Sequence, residues 1–208
     1  MNKKELENEV EAYLKYYYIV KQEFDIYKYI KQNAELYSRE TKQIAYFLNP
    51  VLYSLLNSTL LAIYKLLDNR EEKNIYKVFN IFIQNLNEIV TNKNSKKEKN
   101  EILKIINAKK EEIDSKQELL NNIKEYRDKI IAHSDKKYFA QPDQVFKDFN
   151  MKYEDLEKML IIIEKILNEL LYIVCDTKFV FLEEYKDDYK YLLECIKEHN
   201  IKLQKGKG

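Results

Sequence analysis

The 208 residues carry 36 Lys+Arg against 35 Asp+Glu, a formal net charge of +1. That balance argues against a protein that coats long stretches of nucleic acid, which needs a basic excess, but not against one that engages RNA at a single cleft. With only 2 Gly and 2 Pro, turn-rich sheets and barrels are excluded, and the predicted fold class is all-α, with long helices and few tight turns.

In chain order, the first predicted helix runs from Glu5 to Ile30. Tyr13, Tyr17, Val20, Phe24 and Tyr27 recur there at steps of three and four, the period of one helix face. A second stretch covers about Asn33 to Leu67, in which Pro50 either begins a new segment or kinks it, since proline lacks the amide donor. Its later half, VLYSLLNSTLLAIYKLL, is apolar nearly all round, the pattern of a central buried helix, and Asp68-Asn69-Arg70 ends it. A third helix covers roughly Lys73 to Val90. The lysine-rich TNKNSKKEKN, residues 91–100, reads as a solvated loop and helix start.

From Lys97 to about Ala132 the apolar seam is Leu103, Ile106, Ile113, Leu120, Ile123 and Ile130, with Asp114-Ser115 able to cap a fresh helix inside it. His133-Ser134-Asp135 closes this stretch. After a turn at Gln141-Pro142-Asp143, another strongly apolar helix spans about Tyr153 to Val174. The run KFVFL, residues 178–182, has strand character but nothing to pair with, so it reads as a connection. A last helix covers about Glu184 to Glu198, and the tail KLQKGKG is expected to fray. The chain reads as a single domain, with a core over about residues 33–175 and a C-terminal helical extension over 176–208.

Cys175 and Cys195 are too few for a disulfide scaffold, so reduced, buried thiols and a cytoplasmic setting are expected. The charged start MNKKELENEVEAYL has no apolar signal segment. The longest apolar stretches are interrupted by Asn57 and Lys65 or by Glu164 and Lys165 and fall short of the ~20 residues of a membrane span, so no membrane association is expected. Cys195 and His199 have the spacing of half a metal site, but no fourth ligand accompanies them and Cys175, so no metal is expected. Nor is there a Gly-rich phosphate loop, and no cofactor is expected.

The chemically pointed segment is EYRDKIIAHSD. Arg127 shares the seam of Leu120, Ile123 and Ile130, an unusual place for a guanidinium. The positions three and four away are Ile123, Lys124, Ile130 and Ile131, and none offers the acid that local helical pairing requires. Arg127 therefore needs a partner elsewhere in the fold, in a second copy or in a ligand. His133 follows six residues later, about 120° round a continuous α-helix, so the two converge only if the helix ends there or two copies meet. Asp128 and Asp135 can orient the imidazole or offset its charge. The structural alternative is a histidine that complements a helix C-terminus and an arginine paired with a distant carboxylate.

The string Arg127-Asp128-Lys129-Ile130-Ile131-Ala132-His133 resembles the HEPN superfamily signature, an arginine and a polar residue followed after a spacer by a histidine. The fuller YRDKIIAHSD, and LLNSTLLAIYKLLDN with its closing Leu-Asp, resemble the abortive-infection type U group of HEPN-like proteins. That resemblance implies an antiparallel HEPN-like helical bundle that forms a homodimer, with the motifs of both copies lining one cleft. It implies a metal-independent endoribonuclease acting on RNA as a toxin or phage-defence effector, with Arg127 and His133 catalytic and Asp128 and Asp135 in support. The alternative it allows is a catalytically inactive module for dimerisation or partner binding. In HEPN toxins silenced by a nucleotidyltransferase antitoxin, a tyrosine stands two residues after the histidine. Here that position is Asp135 and the nearest tyrosine is Tyr138, which argues against that route of regulation.

Overall fold

The computed structural model describes residues 2–91, 97–132, 148, 151–180 and 186–205. Among these residues the regular structure is helical throughout. The helices are α1 (Lys3–Gln32), α2 (Ser38–Gln43), α3 (Ala45–Leu67), α4 (Ile75–Gln84), α5 (Leu86–Thr91), α6 (Lys99–Asp114), α7 (Gln117–Tyr126), α8 (Tyr153–Cys175) and α9 (Lys186–Lys205). A π-helical turn, Arg127–Ala132, continues directly from α7. The chain divides into two compact units, residues 1–19 with 60–180 and residues 20–59 with 181–208.

In the first unit α8 is the core. Its eleven buried side chains, from Leu156 to Val174, cover about half of its circumference, as the helical period of its apolar residues dictates. Its end is set by Asp176, in the left-handed region at φ 56°, a conformation that Asp tolerates better than most residues. Glu164 on α8 accepts a 3.0 Å hydrogen bond from the Tyr17 hydroxyl of α1. Helix α6 packs on α8, and α4 and α5 pack on α6 and on each other. Asn74, fully buried, caps α4 by accepting from the Lys77 backbone amide at 3.0 Å.

In the second unit α9 packs on α2. Buried Asn200 donates to Gln43 Oε1 at 2.7 Å and to Glu40 Oε1 at 3.5 Å, and the Tyr29 and Tyr189 rings meet with centroids 4.6 Å apart.

The predicted face of α1 is buried at all five positions, Tyr13, Tyr17, Val20, Phe24 and Tyr27. Other expectations are corrected. The second stretch is two helices parted at Ile44, and Pro50 lies inside α3 without ending it. The later half of α3 is buried as expected, with Leu56, Leu60, Ile63, Leu66 and Leu67 all buried, whereas Tyr46 and Phe47 near its start are exposed. The third stretch breaks at Asn85. The seam on α6 uses buried Ile102 where Leu103 was expected. The stretch does break after Asp114, but neither Asp114 nor Ser115 caps α7: Asp114 accepts the Tyr76 hydroxyl at 2.5 Å, and Ser115 Oγ donates to the Glu112 carbonyl. Helix α9 runs on to Lys205, through part of the tail expected to fray.

Residues 178–180 are neither helix nor strand. Most of the lysine-rich segment, and the Gln141-Pro142-Asp143 turn, lie outside the described residues. One helix among the described residues, α3, is long and apolar enough to cross a membrane, contrary to the expectation from its interrupting polar residues. In its most apolar stretch 44% of the residues are buried inside the protein, and a core helix passes the same test.

Candidate active site

Helix α7 buries Leu120, Ile123 and Tyr126. That fixes its roll and brings the next residue, Arg127, to the margin of the apolar face. There the backbone leaves α geometry, and Arg127–Ala132 form a π turn, with hydrogen bonds from i to i+5. Such turns are costly in isolation and recur at functional sites.

The Arg127 side chain is 28% exposed and lies over the Tyr64 ring, with Cζ 4.2 Å from the centroid. Nε donates to Asp128 Oδ1 at 2.9 Å, Nη2 meets the same oxygen at 2.8 Å, and Nη1 reaches Glu71 Oε1 at a long 3.4 Å. Burial is the largest single influence on the guanidinium and opposes its charge. The Asp128 hydrogen bond, with Tyr64, Asp128 and Glu71 close by, outweighs it and raises the pKa.

Tyr64 is itself fixed. Its ring is 4% exposed, and its hydroxyl accepts from Arg70 Nη2 at 3.1 Å. Burial, then the hydrogen bond to Asp68, push its phenol up. Asp68, 6% exposed at the end of α3, accepts from Arg70 Nε at 2.9 and 3.1 Å and from the Arg70 backbone amide at 2.9 Å. These bonds, the Arg70 side chain foremost, hold its carboxyl well below the usual range. Asn74 Nδ2 donates to the Glu71 carbonyl at 2.5 Å. The short link between α3 and α4 is thus tied at both ends, and Glu71 is positioned toward Arg127 from it.

Of the residues singled out from sequence, Arg127 and Asp128 are brought into contact. His133 and Asp135 lie outside the described residues. The 120° separation assumed a continuous α-helix, which Arg127–Ala132 is not. Arg127 finds its partners in its own chain, as the structural alternative required. One is adjacent Asp128, overlooked because neighbours diverge on an α-helix. The other, Glu71, is 56 residues away, and no local pattern in the sequence signals it. The Leu67-Asp68 ending of α3 was the available pointer to the Tyr64–Asp68–Arg70 network.

Cys175 is half-buried and hydrogen-bonded to the Leu171 carbonyl, whereas Cys195 is exposed and not the buried thiol expected. Among the described residues no group of three His, Cys, Asp or Glu could hold a metal ion.

A family model described as AbiU2, of HEPN type, matches residues 3–192, a span that contains Arg127, Asp128, His133 and Asp135. The chain belongs to the AbiU2 family of HEPN proteins. It is an abortive-infection HEPN module, and its all-helical architecture is that of the AbiU2 family. Searches among curated proteins and solved structures find no match to this AbiU2 chain.

Proposed function

We propose that this AbiU2 chain is a metal-independent endoribonuclease that acts as a defence effector, with an active site completed by a second copy. The observation that carries the reading is the placement of Arg127. Its guanidinium is stacked on a buried ring and held along one edge by Asp128, while Nη1 meets only a long contact to Glu71. A planar fork fixed in this way suits a phosphate that gains negative charge during reaction.

The RNA 2′-oxygen attacks the adjacent phosphorus, forming a 2′,3′-cyclic phosphate as the bond to the 5′-oxygen breaks. One His133 accepts the 2′-hydroxyl proton and the His133 of a second copy donates a proton to the leaving 5′-oxygen; histidine suits both roles near neutral pH. Asp128 keeps the guanidinium oriented, and Asp135 supports the imidazole. The test is incubation of purified protein with total RNA in excess EDTA, beside His133→Ala. Cleavage by the wild type that drops about 10²–10⁴-fold in the variant supports the reading. No cleavage by the wild type, or equal cleavage by both proteins, overturns it.

A second reading has its own observation. Both carboxylates on Arg127 come from the same chain, which favours a structural helical bundle in which Arg127 is an internal tie. It expects Arg127→Ala to lower stability while neither the wild type nor the variant cleaves RNA.

A further inference from the structure

Next to the Arg127 cluster lies a cleft of about 340 Å³ in the first unit, lined by Tyr64, Leu67, Asp68, Asn69, Arg70, Tyr76, Gln117, Leu120 and Asn121. Its volume is at the low end for small-molecule sites, roughly 300–1,000 Å³, enough for one planar ring system and too little for a duplex or a folded peptide. Leu67 and Leu120 lie almost wholly buried beneath it, so its exposed lining is mostly polar. The one cation in the lining, Arg70, is already engaged by Asp68 through its Nε and Nη2 atoms. What the cleft offers a ligand is therefore hydrogen bonding without net charge, which does not suit a phosphate.

The hydrogen-bonding groups form a strip. Gln117 and Asn121 stand one turn apart on α7, both exposed, and Gln117 Nε2 donates to Asn121 Oδ1 at 3.2 Å. That bond orients the two carboxamides and leaves the Gln117 carbonyl and the Asn121 amino group as an acceptor and donor at fixed spacing. A donor and an acceptor side by side are what the edge of an unpaired base requires. Tyr64 joins the two places, since it lines the cleft and its ring carries Arg127.

We infer that this cleft is a subsite for one unpaired nucleobase of an RNA strand, adjacent to the phosphate held by Arg127, with Gln117 and Asn121 reading the base edge. The inference rests on the ribonuclease reading in taking RNA as the ligand and Arg127 as its phosphate contact.

The experiment measures fluorescence anisotropy of labelled single-stranded oligo-A, oligo-C and oligo-U with full-length His133→Ala protein, which keeps the strands intact. It compares that protein with the same background carrying Gln117→Ala and Asn121→Ala. Both positions are exposed, so the melting temperature should hold and report intact folding. The expected result is that the parent discriminates among the three strands. The ratio of best to worst Kd then falls by roughly tenfold in the variant, with the salt dependence unchanged because phosphate contacts remain. A parent without discrimination, or a ratio the variant leaves unchanged, overturns the subsite. If wild-type protein fails to cleave RNA while the ratio falls as expected, the ribonuclease reading is lost and the base subsite stands. Cleavage by the wild type with an unmoved ratio has the opposite meaning.

Discussion

Replacing Arg127 with alanine separates its chemical role from a structural one, because the contacts that hold it are individually weak. Its ion pairs to Glu71 and Asp128 join side chains that are 28%, 33% and 44% exposed. Solvent-screened pairs of this kind contribute about 0–1 kcal/mol each. Stacking on Tyr64 adds about 0.5–1 kcal/mol. Relief of the guanidinium's desolvation offsets part of the loss, so Arg127→Ala should cost about 1–2 kcal/mol. At this chain length each kcal/mol lowers Tm by about 2–4 °C, which gives a drop of about 2–8 °C in a circular dichroism melt.

As the group that stabilises charge in the transition state, its removal should lower kcat/KM on a fluorophore–quencher RNA by about 10²–10³-fold. Arg127→Lys keeps the charge but loses the bidentate fork, and should fall between the two proteins in activity while melting near the wild type. A variant that retains cleavage within about threefold, or one whose Tm falls by far more than about 10 °C, refutes this reasoning.

Asp68→Asn tests the network beneath Arg127. Because its folded carboxyl is held below the ordinary range, Asp68 adds stability above its unfolded pKa of about 3.9, and that contribution fades as pH falls through the folded value. Urea unfolding should show the variant about 1–3 kcal/mol less stable at pH 7, with the gap narrowing at pH 3 and below; a gap that stays constant with pH would show that charge is not the cause. Asn74→Ala removes both the cap of α4 and the hydrogen bond to the Glu71 carbonyl. It should cost about 1–2 kcal/mol, read as a Tm lower by about 2–8 °C.

The face of α1 was legible because Tyr13, Tyr17, Val20, Phe24 and Tyr27 follow the helical period without interruption. The burial of the later half of α3 was legible from its apolar run, but the exposure of its start was not, since Tyr46 and Phe47 are as apolar as Leu66 and Leu67 yet lie outside. Break points were misassigned by a residue or more where no strong cap marks them: α7 begins after Lys116 with no side-chain cap. At the site, Arg127 could be picked out as a charge on an apolar seam, but its partners could not. Glu71 is brought to it by tertiary packing, and Asp128 reaches it at the start of a π turn that local propensity does not announce. The motif residues came from family resemblance, which spacing alone would not have supplied.

Helices α1 and α3 each supply residues to both compact units, since the divisions fall after Ile19 and after Thr59. No single cut in the polypeptide therefore yields either unit whole. A fragment that starts at Asn33 forfeits the α1 portions of both units, and one that stops at Val180 strips α9 from the second. Separating the two units would require cutting α1 and α3 in their interiors, where backbone hydrogen bonds are continuous. Dissection by truncation, routine for modular proteins, should here give chains that fail to fold, and point substitutions are the cleaner instrument.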